Sequence, residues 1–416
     1  MQIKLVAPKQ LRNEIILPAS KSISNRVLII NALAHSDKWP LNVSDCDDTR
    51  VMVKALTEQT ELVDIMAAGT AMRFLTAYFS TTEDQRTLTG TERMKQRPIG
   101  ILVNALKEIG ARIDYTEKDG FPPLHIFGTQ LSGGKLVLPG NISSQYISAL
   151  LMIAPTLEKG LELELTGEII SRPYINLTLH IMQEFGARVS WTDERHVCVL
   201  PHPYQPKTYY IENDWSAASY WYQMLSLSDD NAGCIKLPGL FSNSAQGDSA
   251  VKELFENLGV HTSFVCDGDG MECAVLTKQK VKVSKMEYNF INQPDLAQTF
   301  AVTCCMLNIP FHFYGLQSLK IKETDRIYAL IKELGKLGFV IQETNDSELF
   351  WDGSRMPIQE NASIDTYEDH RMAMAFAPCC LKMPEIRINH PHVVSKSYPS
   401  YWEHLSHIGF NITECS

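Results

Sequence analysis

The chain alternates between two patterns of apolar and polar positions. In one pattern apolar residues recur three and four positions apart, as in helices, and in the other they form short runs bounded by turn residues, as in strands. The first pattern predicts helices over residues 22–34, 70–79, 99–109, 144–154, 174–185, 215–225, 249–258, 295–307, 324–337 and 370–380. Because strand-like runs separate these helices throughout, the sequence predicts an α/β fold.

Four of the predicted helices end in the same way. An apolar residue is followed by glycine and then by a short strand-like run, and the glycines are Gly110, Gly186, Gly259 and Gly338. Glycine is common just past the end of a helix, because it adopts a left-handed backbone without a steric penalty. The signature returns about every 70 to 80 residues, which predicts a fold built from repeated α/β units.

Composition and charge limit the class of protein. The 416 residues carry a formal net charge of −10, and 44% of them are hydrophobic. A broad basic surface for nucleic acid is therefore not expected, and the length suits two domains of ordinary size. The chain starts without a signal-peptide pattern and has no run of eighteen uncharged apolar residues, so we expect a soluble, cytoplasmic protein without a membrane span.

Ten cysteines raise the question of disulfides or a metal site. They include no C-x-x-C pair, and no histidine stands at the spacing of a zinc site. The pairs at 304–305 and 379–380 lie in apolar helical stretches, where cysteine acts as a small core residue. We therefore expect buried thiols rather than disulfides or metal ligands.

Candidate chemistry begins at the first predicted helix. Pro18 and Ser20 precede it, and Lys21, Ser22 and Arg26 lie in its first two turns. Free N–H groups at the start of a helix attract anions, and basic side chains at the same end add to this attraction. The run therefore predicts a phosphate or carboxylate site.

Other predicted helix starts carry cations or hydroxyl groups. Arg73 follows Gly69 within one turn, and residues 93–97 hold three positive charges before another helix. Hydroxyl groups start two more helices, at Ser143, Ser144 and Ser171. Each of these features is more often an ordinary cap or a solvated charge. Ligand binding and a structural role therefore both stay open at this point.

Residues 322–326 combine acidic and basic side chains. If they form a helical turn, Lys322 and Arg326 share a face. Glu323 then lies among cations that keep its carboxyl group ionised or share its proton. An exposed row of salt bridges is an equally good interpretation.

A second charged segment opens the last predicted helix. It consists of Asp369, His370 and Arg371, and Lys396 follows in the terminal part of the chain. A single histidine at the start of an apolar helix is more often a cap partner than a catalytic group. The residues alone therefore leave its role open.

Taken together, these segments resemble the 5-enolpyruvylshikimate-3-phosphate synthase family over nearly the whole chain. The resemblance rests on motifs that occur in the family's order. They are residues 20–22 with Arg26, 69–73, 93–100, 143–145, 171–174, 244–248, 294–295, 322–326 and 369–374.

The resemblance implies two similar domains of repeated β-α-β-α-β-β units whose helices point inward, the inside-out α/β barrel of the enolpyruvyl transferase fold. Residues 1–19 and 213–416 would form the first domain and residues 20–212 the second, with substrate bound between them. Only twenty residues separate Asp48 from Gly69, about half the family's usual number. We therefore expect one repeat to be shortened.

The resemblance also implies a reaction. The family transfers the enolpyruvyl group of phosphoenolpyruvate to the 5-hydroxyl of shikimate 3-phosphate and releases phosphate, on the route to chorismate and the aromatic amino acids. The transfer proceeds by addition and elimination through a tetrahedral intermediate. A monomer that needs no metal and no organic cofactor is implied, with these two small molecules as its partners.

The family's site residues carry over position by position. Shikimate 3-phosphate would contact Lys21, Ser22, Arg26, Ser143, Ser144, Ser171, Tyr174, Asp295 and Lys322. Phosphoenolpyruvate would contact Lys21, Gly69, Arg97, Gln145, Arg326, Arg371 and Lys396. Asp295 would be the base for the 5-hydroxyl, and Glu323 or Lys21 would be the acid for the methylene carbon. His370 would stabilise charge near Glu323.

Three positions depart from the family pattern. Ala67 and Ser318 stand where the family commonly has asparagine, and Phe74 stands where it commonly has proline. Ala67 and Phe74 predict a changed wall beside Gly69 on the phosphoenolpyruvate side. They therefore predict an altered response to glyphosate, the herbicide that occupies this site in the family.

Two alternatives remain at the level of sequence. The UDP-N-acetylglucosamine enolpyruvyl transferases place a reactive cysteine in the loop that here spans residues 93–97, and this chain has no cysteine between Cys46 and Cys198. A binding protein that kept the fold and lost the chemistry is the other alternative. The presence of all residues assigned to catalysis argues against it.

Overall fold

A computed structural model of the chain describes residues 1–58, 60–266, 268 and 270–415. The chain divides into two compact units: unit 1 is Met1–Pro18 with Glu212–Ser416, and unit 2 is Ala19–Ile211. The predicted domains change over one residue later at each crossing, after residues 19 and 212. Their status as independent domains stays a prediction.

The strands and helices of the described residues are as follows. The strands are β1 (Gln2–Val6), β2 (Arg12–Glu14), β3 (Leu62–Asp64), β4 (Gln85–Thr89), β5 (Arg112–Tyr115), β6 (Leu124–Phe127), β7 (Gly134–Pro139), β8 (Leu161–Thr166), β9 (Val189–Trp191), β10 (His196–Val199), β11 (Cys234–Pro238), β12 (Val260–Cys266), β13 (Glu272–Lys278), β14 (Met286–Asn289), β15 (Phe311–Tyr314), β16 (Gln342–Thr344), β17 (Glu348–Trp351), β18 (Ile386–Asn389) and β19 (Asn411–Cys415). The α-helices are α1 (Lys21–Leu33), α2 (Asp47–Thr57), α3 (Gly69–Ser80), α4 (Glu92–Lys95), α5 (Gly100–Glu108), α6 (Ser144–Ile153), α7 (Arg172–Glu184), α8 (Trp215–Leu227), α9 (Val251–Asn257), α10 (Ala297–Met306), α11 (Arg326–Lys336), α12 (His370–Phe376) and α13 (Tyr401–His407). Short 3₁₀ helices occupy Ala154–Thr156, Gly247–Ala250, Pro294–Leu296, Gln317–Ile321, Ala377–Leu381 and Pro391–Lys396.

Burial shows that helices lie inside each unit and sheets outside. In unit 2 the side chains of α1 are buried continuously from Ile23 to Asn31, and in unit 1 every residue of α10 is buried. A helix that is buried on all sides is surrounded by protein. Strands such as β8 instead alternate between buried and more exposed side chains, so each sheet turns one face to the helices.

Complete repeats share one strand order. In the repeat β7–α6–β8–α7–β9–β10, β7 pairs in parallel with β8, which pairs antiparallel with β10, and β10 pairs antiparallel with β9. The sheets β3-β4-β6-β5, β2-β11-β13-β12 and β14-β15-β17-β16 have the same order. The sheet β18-β1-β19 has three strands and is extended by a parallel bridge between Ile364 and Ile388.

The helix-ending glycines confirm the predicted repeat signature. Gly110, Gly186, Gly259 and Gly338 have φ values of 108°, 84°, 85° and 87°, in the left-handed region. Each of them follows the second helix of a repeat and precedes its antiparallel strands. Gly409, with φ 97°, repeats this arrangement between α13 and β19 and was not predicted.

The shortened repeat contains α1 and α2. Leu41 and Tyr210 form an isolated parallel bridge where other repeats have two parallel strands. After α2 the backbone is extended at Glu58, and β3 of the next repeat follows at Leu62. Among the described residues this repeat therefore lacks its antiparallel strand pair, which confirms the prediction from the short spacing.

Several helix predictions need correction. Helices α2, α4 and α13 were not predicted. The predicted helices over residues 249–258, 295–307 and 370–380 are each partly 3₁₀. In the last of them the change follows from Pro378, which has no N–H group for the α-helical bond.

All ten cysteines have free thiols, and six of them are buried. The prediction of buried thiols is wrong for Cys266, which is exposed at the end of β12, and Cys198, Cys234 and Cys415 are half-buried. Within the described residues no group of three or more His, Cys, Asp or Glu side chains could hold a metal ion. None of the helices in that part of the chain is long and apolar enough to cross a membrane.

Candidate active site

Arg326 lies at the centre of a charged cluster in unit 1. It is the first residue of α11, and its side chain is 2% exposed. Its guanidinium donates to Asp369 Oδ2 at 2.7 Å, to Asp295 Oδ1 at 2.9 Å and to Glu323 Oε2 at 2.8 Å. A planar guanidinium can serve several carboxylates at once, because its five N–H groups point in fixed directions.

Asp295 connects this cluster to a second arginine. Its Oδ2 accepts a hydrogen bond from Arg371 Nη2 at 2.8 Å, and Lys322 Nζ lies 3.6 Å from its Oδ1. Burial alone would raise the pKa of this carboxyl group, but the charges of Arg371, Lys322 and Arg326 outweigh burial. They hold the pKa of Asp295 well below its ordinary value, so the group is ionised at neutral pH.

Aspartate caps place both arginines in the first turn of a helix. Asp325 Oδ1 accepts from the backbone N–H of Tyr328 at 3.0 Å, and α11 begins at the next residue, Arg326. Asp369 Oδ1 accepts from the N–H of Arg371 at 2.9 Å and caps α12. An aspartate cap satisfies a free N–H group of the first turn and fixes where the helix starts.

The predicted helical turn over residues 322–326 is wrong. Lys322 follows a 3₁₀ helix and has an extended backbone, with φ −77° and ψ −152°. The cap at Asp325 starts the helix only at Arg326, so Lys322 and Glu323 lie in the loop before it. Both side chains still join the cluster, Lys322 beside Asp295 and Glu323 on Arg326.

His370 and Lys396 border the cluster. His370 is buried at the start of α12, with Nδ1 3.9 Å from Asp369 Oδ1. Lys396 Nζ donates to the carbonyl oxygen of Glu368 at 2.7 Å. Tyr367 and Glu368 have φ values of 52° and 56°, which side-chain-bearing residues rarely adopt. Lys396 therefore stabilises a strained segment directly before the cap.

In unit 2, Arg26 is buried among hydroxyl and carbonyl groups. Its Nε donates to Thr178 Oγ1 at 2.7 Å, and its Nη1 donates to the Ser22 carbonyl at 2.8 Å. Its Nη2 lies 3.3 Å from both Ser148 Oγ and the Tyr174 carbonyl. Burial lowers the pKa of Arg26 to about 10, and none of its described partners is a carboxylate.

Phe74 lies against this arginine. The ring is fully buried in α3, and its centroid is 5.4 Å from the guanidinium carbon of Arg26. A cation over an aromatic face is attracted by the electron density of the ring. The place of Phe74 in a wall beside Gly69 stays a prediction, and Ala67 is half-buried two residues before that glycine.

The starts of α3 and α6 lie side by side. Gln145 Nε2 donates to Thr70 Oγ1 at 3.0 Å, and Arg73 Nη1 donates to the Gly69 carbonyl at 2.8 Å. A Cβ atom at Gly69 would lie 2.6 Å from Arg97 Nη1. Because Gly69 has no side chain, the guanidinium groups of Arg73 and Arg97 can approach the start of α3. Free N–H groups at a helix start already favour anions. Arg73 is only 5% exposed, so the interpretation as a surface arginine is wrong.

The predicted cation of the first helix has an acidic neighbour. Ser20 caps α1 by accepting from the N–H of Ile23 at 3.4 Å, and Lys21 is the first residue of the helix. Its Nζ lies 3.3 Å from Asp48 Oδ2, and both side chains are less than one fifth exposed. An ammonium group is therefore held at this helix start.

The predicted serines also lie at helix starts. Ser143 caps α6 by accepting from the N–H of Gln145 at 3.4 Å, and Ser144 is the first residue of that helix. Ser171 precedes α7 with a φ of 55°, and its side chain makes no cap bond. The hydroxyl of Ser171 therefore has no capping role.

Sequence reasoning missed residues that hold these cations in place. They are Asp48, Ser148, Thr178 and Tyr220. Tyr220 is buried beside Arg371, and its hydroxyl lies 3.5 Å from Arg371 Nη1. Burial raises the pKa of Tyr220 to about 12. Thr178 and Ser148 had a local signal, because they lie four residues after Tyr174 and Ser144 on the same helices.

Comparison with known proteins identifies the family. A family model described as EPSP synthase (3-phosphoshikimate 1-carboxyvinyltransferase) matches residues 5–61 and 56–405. A 3-phosphoshikimate 1-carboxyvinyltransferase of Bacteroides fragilis is 58% identical over 412 residues, with 99% of each chain covered. The chain belongs to the EPSP synthase family. This confirms the resemblance that the sequence motifs indicated.

More distant comparisons support the EPSP synthase fold. A 3-phosphoshikimate 1-carboxyvinyltransferase of a Sulfurovum species is 36% identical over 435 residues, which covers 98% of this chain and 99% of the relative. An EPSP synthase structure from Acinetobacter baumannii matches with a TM-score of 0.78 at 18% identity, covering 99% and 100% of the two chains. The enolpyruvyl transferase NikO from Streptomyces tendae matches with a TM-score of 0.71 at 14% identity, covering 99% and 98%. The predicted enolpyruvyl transferase fold is thus confirmed.

Proposed function

We propose that this chain transfers the enolpyruvyl group of phosphoenolpyruvate to the 5-hydroxyl of shikimate 3-phosphate and releases inorganic phosphate. The observation that carries the proposal is Asp295, a carboxylate held between two arginines and a lysine, in a chain of the EPSP synthase family. Guanidinium groups suit the carboxylate and phosphate oxygens of both substrates. The product leads toward chorismate and the aromatic amino acids.

Each unit supplies part of the binding set in this proposal. Unit 2 would bind substrate through Lys21, Ser22, Arg26, Gly69, Arg97, Ser143, Ser144, Gln145, Ser171 and Tyr174. Unit 1 would bind substrate through Asp295, Lys322, Arg326, Arg371 and Lys396. Local clusters of this kind allow an acidic chain to bind anions. Burial strengthens the attraction between each cation and an anion, and helix starts add partial positive charge.

In the addition step, the 5-oxygen of shikimate 3-phosphate attacks C2 of phosphoenolpyruvate and its proton passes to Asp295. The methylene carbon takes up a proton and becomes a methyl group, which gives the tetrahedral intermediate. Contact with Arg326 at 2.8 Å favours the ionised form of Glu323. This arrangement favours the Lys21 ammonium as the proton donor of addition.

In the elimination step, a base removes a proton from the methyl group and the bond between C2 and the phosphate oxygen breaks. Ionised Glu323 suits this role, and the surrounding cations stabilise the departing phosphate. His370, buried beside the cap of α12, would stabilise charge near Glu323. All atoms of the reaction come from the two substrates and from protons exchanged with these side chains.

Asp295 can act as a base only if the neighbouring cations move away from it, because they lower its pKa. Phosphoenolpyruvate brings a carboxylate and a phosphate, which would compete with Asp295 for Arg326 and Arg371. Loss of these two contacts raises the pKa of a carboxyl group toward the value that proton transfer requires. Binding of phosphoenolpyruvate would thereby activate the base.

Phosphate release from purified protein tests the proposal. The wild type should release phosphate only when both substrates are present. The Asp295→Asn and Glu323→Gln variants should lose at least about 100-fold in kcat, because each removes a proton-transfer group. Asp352→Asn changes an exposed loop carboxylate of unit 1 and should keep the wild-type rate.

Two results would contradict the proposal and separate the alternatives. Turnover with UDP-N-acetylglucosamine in place of shikimate 3-phosphate would indicate the related transferase. Binding of shikimate 3-phosphate by calorimetry without phosphate release would indicate a binding protein. Full activity of Asp295→Asn or Glu323→Gln would refute the assigned role.

A further inference from the structure

Two buried hydroxyl groups in unit 2 form a chain of hydrogen bonds that ends on Arg26. Thr178 and Ser148 are both fully buried, on α7 and α6. Thr178 Oγ1 donates to the Tyr174 carbonyl at 2.9 Å and lies 2.8 Å from Ser148 Oγ. The single hydroxyl proton of Thr178 is thus used, so Ser148 donates to Thr178. The free lone pairs of both oxygens face Arg26.

These hydrogen bonds fix the direction of the Arg26 guanidinium. Thr178 Oγ1 accepts from Arg26 Nε at 2.7 Å, and Ser148 Oγ accepts from Arg26 Nη2 at 3.3 Å. The carbonyls of Ser22 and Tyr174 accept two further N–H groups. A guanidinium has five N–H groups. Among the residues that the structure describes, four of these are therefore used, and one on Nη1 is left for a ligand.

Burial makes this arrangement sensitive to each partner. Arg26 is 3% exposed, so water cannot replace a lost hydrogen bond easily. A buried threonine commonly bonds to the carbonyl four residues earlier, and the bond from Thr178 to Tyr174 alone would be ordinary helix structure. Thr178 differs from such a threonine because the same oxygen also accepts a hydrogen bond from Arg26 Nε.

We propose that Thr178 and Ser148 are positioning residues that direct the remaining Nη1–H of Arg26 toward an oxygen of shikimate 3-phosphate. This inference rests on the proposed function. A single N–H group must point at its acceptor, because a hydrogen bond weakens steeply when it bends. Loss of either hydroxyl would therefore weaken shikimate 3-phosphate binding while leaving phosphoenolpyruvate binding unchanged.

Thr178→Val tests this inference, because valine has the shape of threonine without the oxygen. The KM for shikimate 3-phosphate should rise about tenfold, as expected when a buried charged donor loses its partner. The kcat and the KM for phosphoenolpyruvate should stay within about twofold of wild type. Thr178→Ser keeps the oxygen and should restore the wild-type KM.

Thr76→Val is the matched control. Thr76 is also fully buried in unit 2, and its hydroxyl donates to the carbonyl of Met72 at 2.6 Å, four residues earlier. It has the same local bond as Thr178 without the contact to Arg26. Thr76→Val should lower the melting temperature less than Thr178→Val, because no buried cation loses a partner, and should leave both KM values unchanged. An equal rise of the shikimate 3-phosphate KM in both variants would overturn the inference.

Two further measurements keep the test decisive. If Thr178→Val does not fold, Ser148→Ala removes the Nη2 acceptor and the hydrogen bond to Thr178 but keeps Thr178 on Nε, and it should raise the same KM about threefold. In an Arg26→Ala background, Thr178→Val should have no further effect on shikimate 3-phosphate binding by calorimetry. An additional loss there would refute a role through Arg26. Absence of turnover in the wild type would instead refute the proposed function.

Discussion

Asp369 and Arg326 form a buried ion pair at 2.7 Å, with side chains that are 0% and 2% exposed. The same carboxylate accepts the N–H of Arg371 and caps α12. One aspartate therefore fixes both of the unit 1 arginines that we assign to phosphoenolpyruvate. Its loss should affect the stability of unit 1 as well as catalysis.

Asp369→Asn should lower the free energy of unfolding by about 3 kcal/mol, because it removes the charge that balances a buried guanidinium. Asparagine can still cap the helix, so the effect reports the ion pair rather than the cap. Urea unfolding measures it. The control is Asp84→Asn, which removes an exposed ion pair with Arg86 and should cost no more than about 1 kcal/mol. Equal losses in the two variants would contradict the buried role.

Stability should depend on Asp295 in a defined pH range. Because its pKa is held below the ordinary value in the folded state, its stabilising effect is complete above the unfolded pKa of about 4 and is lost as the pH falls through the folded pKa. Asp295→Asn should therefore be less stable than the wild type at pH 7. The difference in unfolding midpoint should shrink below about pH 4. A constant difference down to pH 3 would argue against the lowered pKa.

Gly69→Ala should disturb Arg97 without unfolding the protein. The new Cβ atom would lie 2.6 Å from Arg97 Nη1, at the end of a flexible side chain that can move away. The KM for phosphoenolpyruvate should rise about fivefold to tenfold, as for loss of one charged hydrogen bond, with little change in the KM for shikimate 3-phosphate. Gly335→Ala, in open space on α11, is the control and should leave both values unchanged.

Phe74→Leu should weaken the binding of shikimate 3-phosphate, whereas the sequence predicted an effect on the phosphoenolpyruvate side. Leucine fills most of the space but lacks the ring beneath Arg26, so the KM for shikimate 3-phosphate should rise about threefold. Phe79→Leu, a buried ring on the same helix, is the control for loss of packing. A selective rise in the KM for phosphoenolpyruvate would support the original interpretation of Phe74 as part of the wall beside Gly69.

Much of the fold follows from local sequence. The helix-ending glycines predicted the repeats because a left-handed backbone at each helix end is a local requirement. The missing antiparallel strands were predicted differently, because the spacing after Asp48 is short only against the spacing usual in the family. The helix α2 was not predicted, although its buried residues Thr49, Met52 and Ala55 recur every three positions, as in a helix.

The site was less predictable, because its contacts join distant parts of the chain. Arg326 meets Asp369 across 43 positions, and Arg26 meets Thr178 across 152. No periodicity links such pairs. The error at Lys322 had a local origin, because the cap at Asp325 starts α11 only at Arg326, four residues after Lys322.

The pairing of β1 sets an order of events during synthesis. This first strand lies between β18 and β19, the last two strands of the described residues. Its partners are synthesised only from Ile386 onward, whereas every residue of unit 2 has been made by Ile211. Because compact units generally fold as they emerge, unit 2 can form its core before β18 and β19 are available to pair with β1.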